Sequence, residues 1–141
     1  MGADLTDAGG IGEAGTLRDI ADHPDLEMAQ LEDLAQLLPS AQVLALAQSY
    51  YASASDMLAQ LDDAAAALNW TELYELAHDL KGTSGSFGAC RLQYLAEVLE
   101  RCCTEQMGEA VPVVLVAMRR SLAAAWAAME DCIPTLGRKS A

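Results

Sequence analysis

Apolar residues recur every three or four positions along most of the chain, and the runs between breaking residues are long. This spacing places them on one face of a helix and predicts amphipathic helices throughout. The first is expected over about 25–38, with Met28, Leu31, Leu34, Ala35 and Leu38 on one face. Pro39 stops it, and Ser40 is placed to cap the next. The second, over about 41–68, carries Val43, Leu46, Ala47, Tyr50, Ala54, Met57, Leu58, Leu61, Ala65 and Leu68. Asn69 or Thr71 caps a third that runs to about 86. A fourth spans about 89–106 on Leu92, Leu95, Ala96, Leu99 and Cys103. The fifth spans about 111–131 on Val111, Val114, Leu115, Met118, Leu122, Trp126 and Met129, with Pro112 tolerated in its first turn. No alternating strand pattern and no internal repeat interrupts the series. One apolar stripe per helix and short connections predict an all-α fold, an antiparallel four-helix bundle with an extra N-terminal helix.

Composition sharpens this reading. The chain of 141 residues holds 27 Ala and 21 Leu against 15 Val, Ile and Thr together. Ala and Leu lose little side-chain freedom in a helix, whereas β-branched residues lose more. The length suits one domain. Residues 1–21 are Gly- and Asp-rich without a sustained apolar period and are expected to be a flexible tail or linker, followed by a domain over 22–133 and a short C-terminal tail over 134–141.

The net charge is −13. Nucleic acid and anionic membrane both need a basic footprint, so neither is an expected partner. The imbalance is uneven. Residues 1–70 contain one basic and 12 acidic residues, and residues 71–141 seven and nine, which directs any anion chemistry to the second half. Cys90, Cys102, Cys103 and Cys132 include no Cys-x-x-Cys pair, so no metal site is expected, and without a basic-then-apolar leader the expectation is a reduced, cytoplasmic protein. The longest uncharged run, Leu34 to Ser55, is broken by Pro39, Ser40 and three glutamines, and is no membrane span. The opening Met1-Gly2-Ala3-Asp4-Leu5-Thr6 fits the loose myristoylation pattern as a chance match.

One segment departs from a plain helix: Ala77-His78-Asp79-Leu80-Lys81-Gly82-Thr83-Ser84-Gly85-Ser86-Phe87-Gly88-Ala89. The core stripe of its helix is Leu73, Leu76, Ala77, Leu80, Ser84 and Phe87, so His78 falls beside the stripe, at the surface. Lys81 at i+3, Gly82 at i+4 and Gly85 at i+7 share its face. A mid-helix glycine costs about 1 kcal/mol relative to alanine, so two beside an exposed histidine indicate a demand for bare backbone. A partner approaching the imidazole would create that demand. The alternative is a surface histidine without a role and glycines that serve helix packing. A neutral imidazole is a nucleophile near neutral pH, and a phosphoryl group placed on it could be neutralised by Lys81 from one turn away, with Arg91 and Arg101 adding positive potential.

The pattern His-x-Leu-Lys-Gly-x-Ser-x-x-x-Gly-Ala resembles the signature of histidine-containing phosphotransfer (HPt) domains of bacterial multistep phosphorelays. The similarity extends to Asn69-Trp70 upstream and to Arg91-Leu92 through Leu99 downstream. It implies a four-helix bundle that accepts a phosphoryl group on His78 from a receiver-domain aspartate and passes it to another receiver, in response regulators or hybrid histidine kinases. By position, Lys81 stabilises the phosphoryl group, Gly82 clears room for the receiver, and Ser84, Gly85 and Gly88 shape that surface. Such a domain is a phosphocarrier without its own kinase site; it needs no cofactor, Mg²⁺ being brought by the receiver, and a monomer is the default. Where several members of the family carry glutamine facing the histidine, this chain has Glu100. A carboxylate there can take a hydrogen bond from one ring nitrogen and leave the other free, or repel the phosphoryl group, or be merely solvated.

Other chemistries find too few residues. Glu75 and His78 have the Glu-x-x-His spacing of di-iron bundles, but the second pair is lacking, since the only other histidine is His23. His23 itself reads as a solvated residue at the start of the first helix. A hydrolytic triad lacks a second histidine within the folded part. The remaining rival is an interaction module of the same fold that regulates a partner without phosphorylation; retention of His78, Lys81 and Gly82 together argues against it.

Overall fold

The computed structural model describes residue 20 and residues 22–140. Among the described residues five α-helices follow one another: α1 (Ala29–Leu37), α2 (Ser40–Ala66), α3 (Trp70–Ser86), α4 (Cys90–Thr104) and α5 (Val111–Ser140), with a 3₁₀ turn at Gly108–Ala110 before the last. No strand occurs among the described residues. Each of α2 to α5 packs mainly on its two neighbours in the cycle α2–α3–α4–α5–α2, while α1 lies against α5 and α2. Connections of three residues, such as Ala67–Asn69 and Phe87–Ala89, force successive helices to run antiparallel. The core is aliphatic, with Leu61, Leu73, Leu80, Leu92, Leu95, Leu99, Met118 and Met129 fully buried.

The ends of the helices carry information of their own. Asn69 caps α3 by accepting a hydrogen bond from the Glu72 backbone N–H at 3.2 Å, and its side-chain amide donates back to the Glu72 carboxylate at 3.3 Å. Ser40 does not cap α2. It is the first helical residue, Pro39 holds the cap position, and no side-chain capping bond forms. The C-termini of α2, α3 and α4 share one device: a left-handed residue (Leu68, Gly88, Gln106) followed by a backbone N–H that returns to a carbonyl five residues earlier. Leu68, expected on the buried stripe, is 69% exposed as a result. Leu46 is also partly exposed, because the stripe of α2 is carried by Val43, Ala47, Tyr50, Ala54, Leu58 and Leu61.

Two chain ends differ from expectation. Where a tail was expected from residue 134, α5 continues through Pro134 to Ser140, because Ile133 and Leu136 extend the buried stripe beyond Met129; residue 141 lies outside the described residues. At the other end α1 starts at Ala29, later than expected, since the preceding backbone bonds elsewhere. Glu27 N–H donates to the Gly88 carbonyl at 2.7 Å, and Arg91 N–H donates to the Pro24 carbonyl at 2.9 Å. His23 is not a solvated residue; it stacks on Tyr94 with ring centroids 4.4 Å apart, while its carbonyl accepts from the Arg91 guanidinium. Ile20 is buried, inside the stretch expected to be a tail; the rest of residues 1–21 lies outside the described residues.

α5 and the turn before it, Gly108–Leu136, are long and apolar enough to cross a bilayer by length and composition. The apolar stripe of this segment is nevertheless used inside the bundle, from Val111 through Leu136.

Candidate functional site

α3 divides its residues by face. Leu73, Ala77, Leu80 and Ser84 point into the bundle, which turns His78 outward and leaves its side chain 59% exposed. The ring does not float. Tyr74, one turn earlier, stacks on it at 6.0 Å with the planes 10° apart. From α4, Glu100 brings a carboxylate oxygen to 2.8 Å from His78 Nδ1. Its second oxygen accepts from Lys81 Nζ, also at 2.8 Å. Glu100 is buried, and both of its oxygens are occupied by these two partners, the condition under which a buried carboxylate is tolerable. The bond to Glu100 is the main influence raising the Lys81 ammonium pKa; partial burial opposes it, and the charges of Glu100 and Glu97 reinforce it. His78, Lys81 and Glu100 thus form one connected group at the α3–α4 surface.

A carboxylate directed at Nδ1 favours the tautomer with the proton on that nitrogen, the form in which Nε2 has a free lone pair. That nitrogen is the nucleophile this arrangement offers.

The glycines separate into different classes. A Cβ built on Gly82 meets nothing within 4 Å, so no contact among the described residues requires glycine there. A Cβ on Gly85 would come 2.7 Å from the Gln93 amide, so this glycine makes room for α4 rather than for an outside partner alone. Gly88 has φ +79°, and a side chain there would run into the Glu27 carbonyl. Ser84 departs most from expectation. It is fully buried, and its hydroxyl shares a 2.8 Å hydrogen bond with the Tyr50 hydroxyl, so it cannot form part of a docking surface. Burial pushes the Tyr50 hydroxyl up to about 12, against the lowering effect of Ser84. Ser84→Ala would leave that hydroxyl unpartnered. We expect a loss of about 1–3 kcal/mol in denaturant unfolding with no change at the histidine.

Arg91 is not part of the site, since Asp25 and the backbone around His23 and Pro24 hold it at the α3–α4 turn. Arg101 is exposed and takes no part in the His78–Glu100–Lys81 contacts. Tyr74 is a site residue that the sequence reading missed; its only signal was a place one turn before His78. The four cysteines are free thiols. Burial raises the pKa of each, with Cys102 and Cys103 at about 11, which removes them as nucleophiles near neutral pH.

The Hpt domain family model matches residues 45–136, more than half of the chain and all of the site described above. No curated protein and no solved structure gives a significant match.

Proposed function

Because the chain belongs to the Hpt domain family, whose members carry phosphoryl groups in two-component signalling, we propose that it is a phosphorelay intermediate that takes a phosphoryl group onto His78 from a receiver-domain aspartate and hands it to a second receiver. The observation that carries this reading is the 2.8 Å contact from Glu100 to His78 Nδ1, which leaves Nε2 exposed and nucleophilic. Lys81, one turn away, has three N–H donors on a flexible stem and can serve both Glu100 and an incoming phosphoryl oxygen. The chain supplies the nucleophile and the cation; Mg²⁺ and the acidic pocket belong to the receiver. The protein works as a monomeric carrier in the cytoplasm, where receivers and hybrid kinases present their phosphorylated domains.

Docking follows the line His78–Gly82–Ser86, at successive i+4 positions along α3. Ser86 itself lines a groove whose apolar wall is Leu34, Leu37, Leu46 and Phe87 and whose rim carries Gln30 and Asp33. Gly82 is the close-approach point. Gly82→Ala is expected to raise stability by up to about 1 kcal/mol, since alanine is the better helix former and nothing in the chain opposes its methyl group. The same change should slow transfer from a receiver. Thermal unfolding and transfer rate moving in opposite directions would support the reading; both rising would contradict it.

The direct experiment is transfer from a radiolabelled, phosphorylated receiver. Acid-labile, base-stable label on the protein is the expected outcome. No label from a broad panel of receivers would overturn the reading and leave the adaptor role.

A further inference from the structure

The position that faces His78 holds a carboxylate, and the consequence reaches beyond the free ring. Glu100 accepts from Nδ1 at 2.8 Å, while its other oxygen is anchored by Lys81. The pair is pinned on both sides, since Glu100 is buried within α4 and the Lys81 ammonium, 2.8 Å from its second oxygen, fixes the orientation of its carboxylate. We propose that Glu100 is a positioning residue that keeps the Nδ1 proton on the ring while His78 is phosphorylated, so that the phosphoryl group is passed on from a protonated ring. This rests on the carrier function proposed above and concerns the regulation of its outward step.

The Nε2 lone pair forms a bond to phosphorus, and the P–O bond to the donor aspartate breaks with its electron pair on the aspartate carboxylate. Nδ1–H is untouched, so the product ring carries one positive charge beside a dianionic phosphoryl group. In the outward step an acceptor carboxylate attacks phosphorus, and the N–P bond breaks with its electrons returning to Nε2. If Nδ1–H is still present, the leaving group is neutral imidazole. If that proton has gone to water, the leaving group is an imidazolate anion, which departs far more slowly. A group that holds the proton therefore sets how readily the phosphoryl group leaves.

Glutamine could accept the same hydrogen bond but would contribute no charge, so the difference between the two side chains is electrostatic. The groups that face the ring are few. α3 supplies Tyr74, stacked on it, and Lys81; α4 supplies Glu100, with Glu97 acting on Lys81. Among the described residues α2 makes no hydrogen bond, ion pair or ring contact with His78. Among the described residues Glu100 is thus the one anion bonded to the ring.

The test uses the whole chain and Glu100→Gln, each loaded chemically on histidine with phosphoramidate so that no receiver is needed. Hydrolysis of the phosphohistidine and its transfer to a receiver are then followed from pH 6 to 9, beside thermal unfolding. In the wild type both rates should persist to about one pH unit higher than in Glu100→Gln, so that near pH 8 the variant is slower by up to about tenfold. Nitrogen NMR of the phosphorylated proteins should show the Nδ1 proton retained at pH 8 in the wild type and lost in the variant. Superimposable pH profiles with equal proton retention would overturn the inference while leaving the carrier function intact. Failure of both phosphorylated proteins to transfer to any receiver would instead remove the carrier function, and the hydrolysis profiles would still decide what Glu100 does.

Discussion

His78→Gln is expected to reduce phosphoryl acceptance to background, a loss of at least about a thousandfold, while the protein stays folded. The loss is complete because the site holds one nucleophile. His23, the other imidazole, is stacked on Tyr94 and tied to the α3–α4 turn, and the thiols are held protonated by burial. The fold should tolerate the change, since the ring is mostly in solvent and Glu100 keeps Lys81 as a partner. A glutamine amide can also donate to the oxygen that the imidazole leaves. Unfolding free energy should therefore move by no more than about 0.5 kcal/mol, the usual range for surface positions. Transfer assays beside denaturant unfolding check both halves. Residual labelling of the variant at a sizeable fraction of the wild-type rate would mean that another residue accepts the group.

The second large effect is on stability. Leu80 lies two residues from His78 on the opposite face of α3 and is fully buried. Truncating it removes the apolar surface that fixes the rotation of α3 in the bundle, and leaves a cavity between helices that cannot fully close. Leu80→Ala is expected to cost about 2–5 kcal/mol, from the lost transfer energy plus the cavity. The motif itself, His78, Lys81 and Gly82, is unchanged in this variant. At low temperature, where it is still folded, transfer per folded molecule should stay within about threefold of the wild type. Urea unfolding monitored by far-UV circular dichroism gives the first quantity. A cost below about 1 kcal/mol would show that the core around α3 is not packed as described.

What the sequence disclosed follows from the physics of each signal. Five helices were legible because a stripe every three or four residues is a long-range pattern, and breakers separate the runs. The outward position of His78 followed from the same stripe, because Ala77 and Leu80 commit the other face to the core. Glu100 opposite the histidine was legible through family resemblance, and its contact at 2.8 Å now has a geometry. Local exceptions were not legible. A left-handed residue at a helix end is announced by glycine, as at Gly88, but Leu68 and Gln106 adopt it without that mark. Pro134 predicts a stop that the buried Ile133 and Leu136 override. Ser84 carried two readings, core stripe and docking surface, and only the partner 34 residues away, Tyr50, decides between them. Residues 22–27 gave no sustained periodic signal, and backbone hydrogen bonds at Pro24 and Glu27 tie them to the α3–α4 turn.

The most direct test of the account is to locate the phosphoryl group. The wild-type protein is incubated with a phosphorylated receiver, kept at alkaline pH, and analysed by peptide mass spectrometry together with phosphorus NMR. One added phosphoryl group per chain is expected, with a phosphoramidate signal, on the peptide that contains His78. A group on any other residue, or an unmodified chain after exposure to many phosphorylated receivers, would contradict it.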